Sequence, residues 1–274
     1  ILNQSYKNFD LYIHDDCSTD NTLKILEKLN INKTFHILTN PSNLGLYGNF
    51  NNILDKVNSK YFAIFHSNDE YDKEIIKHEI SFLKNNDVAA VFTDGVLEVG
   101  KNLSRIVPQK IFNQKNNIFN YDQTFNLVLR YFNFLACSSA MFDSSIIKSI
   151  GKFDEKYGMS IDLNMWFRLL EKKPIGIINK VLVKADLENS SSMNEFKKTS
   201  LNDFFLVIDS IIEKKYQNKL TKYQNTNYKI LKMRDYCRVL YNFYNQDDTT
   251  KIKKTIKEIQ PFFIIKNFFK SKKC

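Results

Sequence analysis

Three polar clusters in this chain stand where chemistry could be done: Asp15–Asp16, the stretch from Asn40 to Gly45, and Asn68–Asp69. Each follows a short apolar run that reads as a strand. The third is the sharpest. Tyr61-Phe62-Ala63-Ile64-Phe65 is apolar throughout, which suits a strand buried on both faces, and it leads straight into His66, Ser67, Asn68, Asp69 and Glu70. In a doubly wound sheet, ligands bind beyond the carboxyl ends of the strands. The sequence has neither GxxxxGK[ST] nor GxGxxG, so no glycine loop is available to cradle a phosphate. A nucleotide held here would need Mg²⁺ or Mn²⁺ to offset its charge, with Asp69 as one ligand and diphosphate oxygens as others. The competing reading of each acid pair is a turn or a helix cap. On that reading Asp15 and Asp16 begin an Asx turn and Asp20 caps the next helix.

Other chemistries are excluded by spacing. The cysteines Cys17, Cys137, Cys237 and Cys274 form no CxxC pair, which reads as free thiols in a reducing compartment. The histidines His14, His36, His66 and His78 form no HxH or HxxxH pair, so a zinc site is not expected. His66, just before the third cluster, suits a supporting or packing role better than metal ligation.

The elements that must position these groups follow from periodicity. Strands are expected at Asp10–His14, Thr34–Leu38, Lys60–Phe65 and Val88–Phe92, with helices at Thr22–Leu29, Asn49–Val57 and Asp72–Leu83 between them. Asp72 is placed to cap the last of these. Strand alternating with helix is the pattern of a mostly parallel α/β sheet with flanking helices. Beyond Gly95 the regularity weakens. Residues 101–120 read as a long loop, with helices at Phe125–Phe134, Ser144–Ile150 and Leu163–Leu170, and strands at Cys137–Phe142 and Ile175–Val183. From about Glu195 the composition shifts to Lys, Asn and Tyr with helical periodicity. Two regions result, 1–192 and a helical appendage, 193–274.

The 274 residues are 43% hydrophobic, enough for a substantial core, and carry a net charge of +10. That charge first suggests nucleic acid, but the lysines are diffuse and no helix-turn-helix or RNA-binding signature appears, so nucleic acid is not an expected partner. The stretch 251–274 is more pointed. Phe262, Phe263, Ile264, Ile265, Phe268 and Phe269 lie among Lys251, Lys253, Lys254, Lys257, Lys266, Lys270, Lys272 and Lys273. It reads either as an interfacial helix on anionic lipid or as an amphipathic helix packed on its own domain. No run of roughly 18 apolar residues is present, so no membrane span is expected.

Four segments, in order, resemble family 2 glycosyltransferases: ILNQSYKNFDLYIHDDCSTDNT, NPSNLGLYGNF, YFAIFHSNDEYDKE and GKFDEKYGMSIDLNMWFRL. The resemblance covers residues 1 to about 190. It implies a glycosyltransferase A-type fold, a nucleotide-sugar donor (UDP-linked by expectation) and an inverting transfer. Its acceptor would be a glycan or lipid-linked molecule in cell-surface polysaccharide or lipooligosaccharide synthesis, at the inner face of the cell membrane. By position, Asp15, Asp16, Asn43, Asn68 and Asp69 would be donor-binding, Asp69 would be the metal ligand, and Asp162 the catalytic base. The departures are specific. The family's glycine after the acid pair is Cys17, its DxDD run is His66-Ser67-Asn68-Asp69, and the Glu of its Glu-Asp pair is Ile161. The family's first strand would precede Ile1. A catalytically inactive, sugar-nucleotide- or glycan-binding domain is the alternative these losses suggest. Phe153 and Asp154 are expected to form a turn. Trp166 is expected in the core, with a sugar platform as its alternative.

Overall fold

The computed structural model describes residues 1–99, 102–112, 117–186, 200–246 and 248–259. The first part alternates as the sequence implies: β1 (Tyr12–Asp15), α1 (Thr22–Leu29), β2 (His36–Thr39), α2 (Gly45–Lys56), β3 (Tyr61–Ala63), the two-residue β4 (Glu70–Tyr71) and α3 (Ile75–Asn85). Then come β5 (Ala90–Val99), β6 (Asn102–Arg105), β7 (Ile118–Phe119), α4 (Tyr121–Tyr131), β8 (Ala140–Asp143), α5 (Ser144–Ile150), α6 (Ile161–Leu170) and β9 (Ile175–Asp186). The described chain ends on α7 (Phe204–Lys214), α8 (Lys222–Asn245) and α9 (Thr249–Ile259). Two compact units result. One is Ile1–Tyr121 with Phe134–Asp186, and the other is Asp122–Asn133 with Leu187–Cys274.

Pairing in the first unit is mixed. β1 and β2 form a parallel pair of their own. The second sheet runs β3-β8-β5-β9-β4, with β6 on β5 and β7 on β9. Within it β5 and β9 are parallel, while β8 lies antiparallel between β3 and β5. Strand–helix alternation dictates parallel neighbours only where a helical crossover returns the chain in the same direction. β8 enters from a later part of the chain, so alternation says nothing of its direction.

Burial follows chemistry. Trp166 is fully buried, stacks on Phe142 at 5.1 Å between ring centroids, and donates its Nε1–H to the Leu135 carbonyl at 3.0 Å. It is a core residue, and its polar handle is satisfied as a buried indole requires. Three local expectations are corrected. Phe62 and Ile64 are buried, but Tyr61, Ala63 and Phe65 are only partly so, because β3 is short and covered mainly on one face. Asp72 does not cap α3. Its Oδ1 accepts from Glu74 N at 2.8 Å, before the first turn, and Gln4 serves the helix start instead, accepting from Ile76 N at 3.3 Å. The stretch expected as a loop at 101–120 contains β6 and β7. β6 is exposed at all four positions, so no alternation marked it.

Candidate active site

The loop after β1 is locked from within. Asp15 is buried, and its carboxylate accepts from both the backbone N–H and the hydroxyl of Ser18. Asp16 points the other way, toward the turn after β2. Its Oδ1 accepts from Asn40 Nδ2 at 2.7 Å and from Leu44 N at 2.8 Å. Asn40, itself buried, also reaches α2, donating to Asn49 Oδ1 at 3.1 Å and accepting from Asn52 Nδ2 at 2.5 Å. Asn43 Oδ1 accepts from Gly45 N at 3.0 Å, shaping the turn in which Gly45 has φ +69°. That conformation costs glycine nothing. The first two polar clusters are therefore one hydrogen-bonded platform.

Between the acid pair and Ser18 stands Cys17, at φ +63°. The left-handed region crowds the Cβ of any L residue, at roughly 1–2 kcal/mol. Cys17→Gly is expected to raise stability by about 0.5–1 kcal/mol, the gain being trimmed by the greater freedom of glycine in the unfolded chain. A urea midpoint that falls on this substitution would contradict the assignment of strain to Cys17.

α2 joins this platform to the third cluster. Phe50 is buried and its ring lies 6.0 Å from that of His66. After β3 the chain makes a tight turn, with Asp69 N donating to the His66 carbonyl at 3.3 Å. Tyr71 pins that turn. Its hydroxyl accepts from His66 N at 2.7 Å and approaches Asp69 Oδ2 at 3.5 Å. Its ring meets Phe65 edge-on at 4.5 Å. Burial first, then the charge of Asp69, pushes the Tyr71 phenol well above its ordinary value, so it stays a neutral donor. Asn68 is exposed and donates to the Asp186 carbonyl at 3.1 Å, tying the turn to the end of β9.

Asp69 makes only long contacts. Its side chain is 4% exposed, with His66 Nδ1 at 3.8 Å and one long hydrogen bond, from Tyr71. Burial holds the His66 imidazole below its ordinary value, and Asp69 opposes the shift. Among the described residues no cluster of three or more His, Cys, Asp or Glu could hold a metal ion by itself. A nucleotide-bound Mg²⁺ or Mn²⁺ does not need one, since one or two carboxylates suffice when phosphates and water complete the shell. A buried, thinly bonded carboxylate fits that demand.

Asp162 occupies the first turn of α6, where its Oδ1 accepts from Leu163 N at 2.6 Å. A carboxylate there is favoured by the helix dipole. Cys137 is buried. Burial raises the thiol's pKa, and the charges of Asp162 and then Asp69 raise it further. Both carboxylates thus lie within electrostatic reach of one residue. Phe153 and Asp154 are structural. Phe153 exchanges two hydrogen bonds with the side chain of Asn51, and Asp154 pairs with Lys156 at 2.9 Å. Arg168 donates to the carbonyls of Ile150 and Lys152, securing the end of α5.

Sequence reasoning missed Tyr71, Cys137 and Ser138, which hydrogen-bonds Tyr71. The available signal was weak: Cys137-Ser138-Ser139 interrupts an apolar run, and Tyr71 stands two residues beyond Asp69.

A mixed α/β sheet with flanking helices, and acid-bearing turns at the ends of β1 and β3, defines a glycosyltransferase A-type fold. A sequence profile described as "Glycosyl transferase family 2" matches residues 1–151. The chain belongs to that family. It is 27% identical over 171 residues to the UDP-Glc:alpha-D-GlcNAc-diphosphoundecaprenol beta-1,3-glucosyltransferase WfaP of Escherichia coli, covering 62% of each chain. Among solved structures, that of S. aureus TarS 1-349 in complex with UDP-GlcNAc superposes with a TM-score of 0.60 at 18% identity, over 89% of this chain and 66% of the other. The mannosyltransferase PcManGT of Pyrobaculum calidifontis, in complex with GDP-Man and Mn²⁺, gives 0.53 at 11% identity, over 94% of this chain and 68% of the other. The chain spans 27% to 62% of the length of the first relatives it matches. No helix among the described residues is long and apolar enough to cross a membrane.

Proposed function

We propose that this protein transfers a sugar from a UDP-linked donor to a lipid-linked or glycan acceptor, with inversion, in the synthesis of a cell-surface polysaccharide. The observation that carries the reading is Asp69, a carboxylate with a side chain only 4% exposed in the turn after β3, whose contacts are His66 Nδ1 at 3.8 Å and the Tyr71 hydroxyl at 3.5 Å. The activity that gives WfaP its name and the UDP-sugar in the TarS structure support the donor and acceptor classes. The Mn²⁺ of the mannosyltransferase structure supports a divalent cation.

In this reading Asp16, Asn43 and Asn68 line the donor site, with Asp15 holding the loop that presents Asp16. Asp69 holds the cation, which when bound offsets the charge of the leaving diphosphate. Asp162 takes the proton of the acceptor hydroxyl as that oxygen bonds to the anomeric carbon. The bond from that carbon to the diphosphate oxygen breaks on the opposite face, so the centre inverts. The protein works at the inner face of the cell membrane, where a lipid-linked acceptor would be met. The basic, aromatic segment proposed to touch anionic lipid falls mostly at 260–274, outside the described residues. Its first part is α9, where Lys251, Lys253, Lys254 and Lys257 are exposed.

Calorimetric titration with UDP tests the donor site. Mn²⁺ is expected to tighten UDP binding, and Asp69→Asn is expected to weaken the Mn²⁺-dependent affinity about tenfold. Equal affinity and equal Mn²⁺ dependence in the variant would remove Asp69 from the metal site. Turnover of a labelled UDP-sugar by the wild-type chain then separates a transferase from a domain that only binds.

A further inference from the structure

The helical unit carries a feature that sugar transfer does not use. One face of α8 is buried through Leu231, Lys232, Tyr236, Val239 and Phe243. The opposite face carries an apolar stripe exposed among the described residues. Tyr223, Ile230, Tyr241 and Tyr244 are 50%, 52%, 64% and 70% exposed, and Cys237 is exposed with them. Tyr223, Ile230, Cys237 and Tyr244 recur every seven residues, so they form one stripe along the helix, with Tyr241 beside it. Isolated surface tyrosines need no explanation. A seven-residue repeat sustained along a 24-residue helix is the pattern that meets another helix.

We propose that this face pairs with α8 of a second copy of the chain, antiparallel about a two-fold axis. A two-fold interface must be complementary to itself. About the midpoint between Met233 and Arg234, the stripe is. Tyr223 falls opposite Tyr244, Thr226 opposite Tyr241, and Ile230 opposite Cys237. The antiparallel sense also sets the helix dipoles head to tail. It moves Lys222 and Lys229, near the start of α8, away from the same lysines of the partner helix. Arg234 stands at the edge of the stripe, where its stem can run along the partner while its guanidinium stays in water. The exposed parts of the tyrosines, Ile230 and their neighbours set an upper limit of roughly 700 Å² on what each copy buries, against about 800 Å² per partner in specific complexes.

Sedimentation of the full chain at micromolar concentration tests the pairing. The wild type is expected to be a dimer. Ile230→Glu places a carboxylate against Cys237 of the other copy, and should weaken dimerisation at least about a hundredfold while leaving the helical circular dichroism unchanged. Mild oxidation of Ile230→Cys should yield a covalent dimer through Cys237, and Cys237→Ser added to it should abolish that link. A monomeric wild type overturns the proposal, as does a dimer untouched by Ile230→Glu. Self-linking of Cys237 in the wild type would show parallel helices and overturn the antiparallel pairing. If deleting residues 260–274 turned a monomer into a dimer, the chain's own end would be the occupant, and the proposal would fall.

Discussion

Asp162→Asn is expected to fold normally, bind UDP normally, and lose turnover by at least about a hundredfold. Two roles compete for this carboxylate, and the substitution separates them. Its hydrogen bond to Leu163 N supports the first turn of α6, whose N-cap position is Ser160. Asparagine offers an amide oxygen at the same place and serves helix starts about as well. What is lost structurally is a negative charge at the helix N-terminus, typically about 0.3–1 kcal/mol. A supporting role alone therefore predicts a small fall in stability and near-normal turnover. A base predicts the reverse emphasis. An acceptor hydroxyl is a poor nucleophile at neutral pH, and a positioned carboxylate that takes its proton contributes about 10²–10⁴-fold. The measurement is initial rate with a true acceptor at saturating UDP-sugar, beside a urea unfolding curve. Turnover within a few-fold of wild type would leave Asp162 as a support of the first turn.

How far the sequence discloses this site depends on how local each contact is. α1 and α5 are found at Thr22–Leu29 and Ser144–Ile150, the spans their periodicity predicts. Both are short segments whose apolar spacing can be read locally, although α5 buries Ile146 and Ile147 while α1 has no buried residue. The acids at the strand ends are legible for the same reason, since strand and turn are both local. The partners that give those acids their character are not. Asn40 reaches Asp16 across 24 residues of chain, and Ser138 reaches the Tyr71 hydroxyl from a 3₁₀ turn far along the sequence. No period or motif encodes such pairs. Asp94 shows the same limit. It is fully buried at a bulge in β5, pairs with Arg105, and accepts from Gly95 N at 2.7 Å and Val107 N at 3.1 Å. In the sequence it is one acid in an apolar run, with nothing to mark its burial.

Glu79→Met is expected to stabilise the protein by about 1–3 kcal/mol at pH 7.5. α3 buries Ile75, Ile76, Glu79 and Leu83 against the sheet, so Glu79 occupies a position that the helical stripe reserves for an apolar side chain. It is wholly buried, and neither carboxyl oxygen has a hydrogen-bond partner among the described residues. Burial alone drives its pKa well above the ordinary value of 4.5. The folded protein therefore keeps this group protonated at pH values where the unfolded chain has released the proton. Between the unfolded and folded pKa values, the folded state binds one proton more than the unfolded state. Stability must then fall as pH rises through that window, by up to about 1.4 kcal/mol per pH unit. At pH below 4.5 the proton is bound in both states, and this loss is absent. Methionine has similar length, no proton to bind and no polar atom that demands a partner. The advantage of Glu79→Met should accordingly be smallest near pH 4.5 and below, and grow as pH rises through that window. Urea midpoints for both proteins at one-unit intervals measure the gap, and other titrating groups cancel in the difference. A gap that stays constant with pH would mean that Glu79 ionises in the folded state much as it does in the unfolded one. A variant less stable than wild type at pH 7.5 would mean that the carboxyl has a partner that stabilises it.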